Sequence, residues 1–428
     1  MPQGIRFLLA KNLLFLCLLS VVFLSRPSLS LTVEEAISLA RETLPSYRAS
    51  HLRVKSSEAL HEASLSPYIP RLDASASLQR LYTSNGELSG RTYDMTLSYI
   101  LFDAGNRKAS RNISDLNLQI SKEDLRKSLL DLEFNVKTAF YTVIARAETV
   151  KQREIQVRDA QKDFEVAEGR YKFGVARLSD KLQASVRLQQ AKFNLVQAEG
   201  DYQKALSELN SLIGKPPGAD DEIQGSLDLA ITPPDIDRLY AATLKRPEIR
   251  QAEDLISISK NNESIIFSSF FPSISLAASY SKTGGDVLRD SFNEEKIAAI
   301  LATWNIFELG KFFTFKSSRV ESEVSLENLN ELKRQLLLDV NQTYQDFITA
   351  SNALLVAKEQ LAQAEHNYSE AFGEYKVGKA DILSLVQAES LLANAREQMV
   401  NARLNLVLTK SLLERVAGVK SLESMHGY

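Results

Sequence analysis

The 428-residue chain predicts a mixed α/β membrane protein built by internal duplication, each copy holding two strands and a pair of long helices. Three observations carry that expectation. The bend motif GRYKFGVARLSD at residues 169–180 returns as GEYKVGKADILS at 373–384, with Tyr171 matching Tyr375 and Gly174 matching Gly378 at an offset of 204. Well ahead of each bend lie two stretches in which apolar and polar residues alternate, the period of a half-exposed strand. Between strands and bends, residues 105–168 and 310–372 contain no proline and little glycine. At 1.5 Å per residue each run extends about 95 Å as a helix, a length that calls for coiled-coil partners in place of a compact core.

The chain opens MPQGIRFLLAKNLLFLCLLSVVFLSRPSLS. Arg6 and Lys11 precede an apolar run from Leu13 to Leu24, with the small residues Ser28 and Ser30 behind it. This order reads as a secretory signal peptide over residues 1–30, the run being shorter than the roughly 20 residues of a spanning helix. Cys17, the only cysteine, sits in that run behind bulky Phe15 and Leu16, so neither a lipid anchor nor a disulfide in the mature chain is expected. The whole chain carries a formal charge of -3, too small to suggest nucleic acid. Loss of Arg6, Lys11 and Arg26 would leave 48 basic residues against 54 acidic ones, a mildly acidic mature protein.

Residues 31–213 form the first repeat, 214–234 a connecting segment, 235–418 the second repeat and 419–428 a tail without a readable pattern. The first repeat begins with a helical stretch capped by Thr32, with Glu35 at capping-box spacing, and ends near Pro67 and Pro70. Its counterpart runs from Asp235 to Pro272, with Pro45 matching Pro247 and Pro70 matching Pro272 at an offset of 202. After each terminal proline the period drops to two. Leu72, Ala74, Ala76 and Leu78 alternate with Asp73, Ser75, Ser77 and Gln79, and Ile274, Leu276, Ala278 and Tyr280 alternate with serines. Turns are expected at Asn85-Gly86 and Ser89-Gly90, and at Gly284-Gly285. A second strand follows in each copy, carrying Tyr93, Met95, Leu97 and Tyr99 in the first and spanning Ile297–Phe307 in the second, with Trp304 at the position of Tyr99. Segments of about ten residues suit tilted strands crossing an outer membrane. Four such strands cannot close a barrel by themselves, and an open edge is unacceptable in lipid, so several chains would share one barrel. Tyr99 and Trp304 are the expected membrane-interface aromatics.

The return helices carry heptad seams: Ala184, Leu188, Ala191, Leu195 and Ala198 in the first, Leu385, Ala388, Leu392, Ala395 and Met399 in the second. Alternation of large residues with alanine lets helices approach closely. Glutamine, asparagine, glutamate and lysine fill most other positions, which suits a hollow ring with a wet interior.

Catalytic chemistry is not written in the chain. His51, His61, His366 and His426 have no metal-ligand spacing, the Ser-rich strands lack a nucleophile elbow, and no glycine loop cradles phosphate. Asp220, Asp221 and Glu222 read as a solvated acidic loop. No enzyme activity, cofactor or metal is expected.

The mature start LTVEEAISLA, the joins FDAGNRKAS and FELGKFFTF, and the two Tyr-Lys-x-Gly bends, in this order and repeated, resemble the TolC-like outer membrane efflux protein family over residues 31–418. The resemblance implies a homotrimer in which four strands per chain make a twelve-stranded β-barrel, continued by an α-helical coiled-coil barrel that reaches far into the periplasm. It implies a passive exit duct of a tripartite efflux or type I secretion system, set in outer membrane lipid and engaged by a periplasmic adaptor (membrane fusion protein) and an inner-membrane pump of RND, MFS or ABC type. The bends would form the periplasmic tip. Tyr171, Gly174, Val175, Leu178, Gly378 and Ala380 would meet the adaptor. By position, Ser179, Asp180 and Tyr375 match family gate residues, whereas the gate arginine falls at Ala380 and the two constriction aspartates at Ser384 and Gln387. Lys379, Asp381 and Arg177 are the nearby substitutes, and Asp180 is also a candidate N-cap of the return helix. The missing acidic ring implies a tip that resists block by multivalent cations. Two other classes, a periplasmic or surface coiled-coil scaffold or adhesin and a secreted enzyme, explain less: the first leaves the four strands without a role, the second has no site.

Overall fold

A computed structural model of the chain describes residues 31–84, 86–219, 222–228, 233–285 and 292–425. The expected signal peptide with Cys17, Asn85 of the first turn, Asp220 and Asp221 of the acidic loop, and His426 lie outside the described residues. In chain order the main elements are α1 (Val33–Thr43), α2 (Pro45–Ala63), β1 (Arg71–Thr83), β2 (Gly86–Phe102), α3 (Asn106–Lys172), α4 (Leu178–Leu212), α5 (Ile236–Thr243), α6 (Pro247–Ser268), β3 (Ser273–Gly285), β4 (Phe292–Thr303), α7 (Leu309–Val377) and α8 (Ile382–Ala417). Contacts divide the chain into two compact units. One comprises the residues up to Leu44, Leu132–Pro233 and Thr343–Leu413; the other comprises Pro45–Asp131, Pro234–Gln342 and the residues from Glu414 on.

The second of these units holds the sheet, whose four antiparallel strands lie in the order β1-β2-β3-β4. Register decides what the alternation means. Leu72 stands opposite Leu97 and Ala74 opposite Met95. Leu97 then faces Ala278, Met95 faces Tyr280 and Tyr99 faces Leu276, while Ala278 faces Ala298 and Leu276 faces Ile300. The apolar rows of β1, β2 and β3 therefore share one face with Ala298 and Ile300 of β4, because side chains at paired positions point the same way, while β4 also carries Ile297, Ala299 and Leu301 on the opposite face. Asp73, Thr96 and Ser279 sit on the other face, as do Ser75, Asp94, Ser281 and Glu295. A bulge between Ile100 and Phe102 ends the regular pairing of β2.

Two expectations on the strands need correction. Ser89-Gly90 and Gly284-Gly285 are not turns: they extend β2 and β3, and Gly90 pairs with Gly285. A Cβ on Gly285 would clash with the Ser89 carbonyl oxygen, so glycine there permits a close backbone approach. The second strand of copy two covers Phe292–Thr303 instead of Ile297–Phe307. Trp304 is thus past its end, and register puts Ile300 at the level of Tyr99. The Trp304 indole N–H donates to the Phe270 carbonyl at 3.0 Å, and Asn305 Nδ2 donates to Glu308 at 2.8 Å just ahead of α7.

In the other unit, α1 is held by the capping box read from sequence. Glu35 N–H donates to Thr32 Oγ1 at 3.3 Å, and Thr32 N–H donates to Glu35 Oε2 at 3.0 Å. The helical stretch expected to run on breaks at Leu44, which takes extended backbone ahead of Pro45. The long helices pair through the alanine-rich seams: Leu188 and Ala191 of α4 pack on Ala160 of α3, and Leu392 and Ala395 of α8 pack on Ala364 of α7. Polar pairs join α3 to α8, with Arg153–Glu397 at 2.7 Å and Arg396–Asp159 at 3.2 Å. The connecting segment is fastened here, Ile223 bridging Leu31 while Asn210 Nδ2 donates to the Ala219 carbonyl at 2.8 Å. In the sheet unit the patternless tail also has a place. Leu422 is buried, its N–H donates to Glu414 Oε1 at 3.2 Å, and Arg246 donates to the Val416 carbonyl at 2.5 Å.

Among the described residues no helix is long and apolar enough to cross a membrane.

Candidate functional site at the paired bends

Both bends end their helices in the same way. Gly174 has φ 74° and Gly378 φ 83°, left-handed values that suit glycine because it has no Cβ. Val175 N–H donates to the Arg170 carbonyl and Gly174 N–H to that of Tyr171, at 2.9 and 3.0 Å. Lys379 and Gly378 make the equivalent bonds to Glu374 and Tyr375 at 2.9 and 3.1 Å. Each is a Schellman motif, which satisfies the last helical carbonyls and turns the chain.

The fold brings the two bends together. Ala167 of α3, Ala184 of α4, Tyr375 of α7, and Ile382, Leu385 and Val386 of α8 form one buried cluster, with Phe164, Tyr368 and Phe372 packed around it. Sequence-equivalent tyrosines part company here. Tyr171 is partly exposed, with the Lys181 ammonium 5.9 Å from its ring centroid, whereas Tyr375 is 1% exposed. The Arg170 guanidinium lies 4.6 Å from the Tyr375 ring centroid and also donates to the Tyr375 carbonyl.

The other residues singled out from sequence flank this cluster along the chain, in the bends and the first turns of α4 and α8. Asp180 does not occupy the N-cap: that position is Arg177, whose N–H donates to Asp180 Oδ2 at 3.4 Å, and Ser179 Oγ donates to Asp180 Oδ1 at 3.2 Å. The capping aspartate is in the second copy. Asp381 precedes α8 and accepts from Ser384 N–H at 3.0 Å and Ser384 Oγ at 2.9 Å, bonds that hold its carboxyl below the usual carboxylate range. Ser384 is thereby engaged inside the chain, while Gln387 and Lys379 are exposed and Ala380 is half-buried. Val175 and Leu178 are exposed apolar residues, as is Phe173 at 86%.

Sequence reasoning passed over three features. Arg170 matches Glu374 in the other copy, so its stacking on Tyr375 has no repeat to signal it. Lys181 and Lys172 both reach Glu168, at 2.9 and 3.1 Å, and their hydrogen bonds lower its carboxyl. Asp163 and Glu389 are each 6% exposed, and Tyr368 Oη donates to Asp163 Oδ1 at 3.1 Å. Burial, with the Glu389 charge beside it, pushes the Asp163 carboxyl up to about 7. The signal was available: Asp163 lies between Ala160 and Ala167 at seam spacing, where an acid is out of place. No group of metal-ligating side chains occurs among the described residues.

The arrangement offers apolar packing, charge pairs and exposed apolar rims suited to contact between helices. Comparison with known proteins shows the family of the chain as a whole. The profile of the outer membrane efflux protein family matches residues 36–215 and again 239–419. The pyoverdine export outer membrane protein OpmQ of Pseudomonas aeruginosa is 23% identical over 373 residues, covering 82% of this chain and 77% of that protein. The toluene efflux pump outer membrane protein TtgC of Pseudomonas putida is 24% identical over 418 residues, covering 91% and 81%. Among solved structures, the outer membrane protein VceC of Vibrio cholerae superposes with a TM-score of 0.76 at 18% identity, over 90% of this chain and 96% of VceC. CusC does so with a TM-score of 0.77 at 19% identity, over 91% and 93%. With the profile matched over most of its length, the chain belongs to the outer membrane efflux protein family and is an efflux channel of the outer membrane.

Proposed function

We propose that the protein is a homotrimeric, non-catalytic exit duct whose barrel is assembled from three sheets and whose mouth is formed by the paired bends. The observation that carries this reading is the sheet register. On one face an apolar row runs from Leu72 of β1 through Leu97 and Ala278 to Ala298 of β4, with Tyr99, Leu276 and Ile300 beside it, and both β1 and β4 are edges within the chain. Edge strands in hydrocarbon leave backbone groups unpaired at several kcal/mol each, so β1 of one copy pairs with β4 of the next until the ring closes. Strands of 12 to 17 residues are long enough to cross with tilt.

At the bends, a periplasmic adaptor docks on exposed Tyr171, Val175 and Leu178 and half-buried Ala380, and an inner-membrane pump delivers cargo through it. Ser179, Asp180, Lys379, Asp381, Ser384 and Gln387 contribute the polar contacts of the closed mouth, and Tyr375 sets their frame from beneath. Exposed ion pairs contribute about 0–1 kcal/mol each, so such a mouth yields to a docking partner. Residues 1–30 direct export, and residues 31–213 and 235–418 are the two halves of the duplication.

The test is assembly and conductance together. Detergent-extracted protein should sediment as a trimer and form channels in planar bilayers. A monomer that makes no channel overturns the reading.

A further inference from the structure

We propose that Asp163 of α3 and Glu389 of α8 form a proton-held latch that fastens α8 against α3 behind the bends, closed while Asp163 is protonated and loosened when it ionises. The geometry is specific. Both residues are more than nine-tenths buried in the single chain, on two helices that meet lengthwise. The charged and titratable neighbours come from every helix packed there. Asp159 and Lys162 lie on α3 with Gln156, Arg187 on α4, Tyr368 and Tyr375 on α7, and Arg396 on α8. Arg396 is already committed to Asp159 at 3.2 Å, and Arg187 faces Glu389. Among the described residues, the neutral phenol of Tyr368 is the hydrogen-bond donor to Asp163, with Lys162 acting at longer range. A neutral Asp163 fits this site; an ionised one places a second negative charge near Glu389 in a buried interface, where like charges repel more strongly than in water.

The sign follows from linkage. Burial raises the carboxyl of Asp163 from 3.8 to about 7 in the packed helices, so the packed state binds the proton more tightly than the separated one. The latch is therefore at full strength below the ordinary carboxylate value, weakens as pH rises from there, and reaches its floor near pH 7. Burial likewise raises the carboxyl of Glu389, which adds to the slope in the same direction. The latch itself is a property of this helix unit; its consequence for export rests on the bends being the mouth of the duct.

The experiment is amide hydrogen exchange on the full-length protein in detergent, between pH 5 and pH 8, corrected for the intrinsic pH dependence of exchange. Protection of residues 160–167 and 385–392 should fall by on the order of tenfold per pH unit from 5 to 7, then level off. Asp163→Asn should keep most of the acid-form protection at pH 8, leaving only the part of the fall that Glu389 contributes. Glu389→Gln should shrink the fall and move it to lower pH, which keeps the test decisive where one variant folds poorly. Protection that is flat with pH in the wild type, or an unchanged fall in Asp163→Asn, overturns the latch. Channel conductance of the same preparation separates the two readings: conductance with flat exchange removes the latch alone, and the expected exchange without conductance removes the duct alone.

Discussion

Arg170, at the end of the first long helix, lies over the ring of Tyr375, at the end of the second, with its guanidinium carbon 4.6 Å from the ring centroid. The same arginine donates to the Tyr375 backbone carbonyl, so one side chain locks both the ring and the turn that follows it. Cation–π contacts with partial desolvation contribute on the order of 1–2 kcal/mol. The Tyr375 hydroxyl is buried and makes no hydrogen bond to any described residue. Tyr375→Phe is expected to leave thermal stability unchanged or slightly raised, because no bond is lost. Tyr375→Ala should cost about 3–5 kcal/mol by emptying the centre of the cluster. Thermal melts of the two variants decide it, and a large loss in Tyr375→Phe would show that the hydroxyl has a partner.

The two bend glycines give a second prediction. At φ 74° and 83°, Gly174→Ala and Gly378→Ala should each destabilise by roughly 1–2 kcal/mol, with Asn costing less than Ala. Space is not the cause: a Cβ at Gly174 would meet nothing within 4 Å, and one at Gly378 would touch Arg170 at an ordinary 3.6 Å. Melting temperatures that rank Gly above Asn above Ala support the conformational explanation.

The sheet register predicts opposite outcomes at neighbouring residues. Leu97 is on the apolar face and Thr96 on the polar one. Leu97→Arg should destabilise the membrane-inserted form by about 2–4 kcal/mol near mid-bilayer, and Thr96→Arg by much less. Urea titration of membrane-embedded protein measures the difference; equal losses would mean that the apolar face does not meet lipid.

Acid should fray the start of α8. Asp381 holds its charge through the Ser384 bonds, so its folded value is depressed. The cap contribution is present above the ordinary carboxylate range and is lost as pH falls through the lowered folded value. Asp381→Ala should remove that part of the acid sensitivity, while Asp381→Asn, still able to accept from the backbone, keeps the helix start capped without the titration. Exchange protection of residues 382–388 at pH 2 to 5 reads both effects.

Ser384 and Gln387 stand where the family resemblance places an acidic ring. Micromolar cobalt-type ions applied from the tunnel side should leave single-channel conductance unaffected, and the double change Ser384→Asp with Gln387→Asp should introduce block. Potent block of the wild type would mean that other acids form a ring.

Features carried by near neighbours in the chain were legible in the sequence: the Thr32–Glu35 capping box, the glycines of both bends, the alanine seams and the period-two strands. These depend on backbone preference and on the repeat of side chains along one element, which the order of residues dictates locally. Tertiary structure decided what those elements meet. It set Ile300 at the level of Tyr99, drew Ser89-Gly90 and Gly284-Gly285 into paired strands, and tied the tail through Leu422. It also buried Tyr375 while leaving its repeat partner Tyr171 at the surface, and made a buried pair of Asp163 and Glu389, which lie 226 residues apart. Two copies of one motif begin with the same local chemistry. Burial, and with it the energy of a charge, depends on which distant helix lies across the gap, so the copies diverged only once α3, α4, α7 and α8 were packed together.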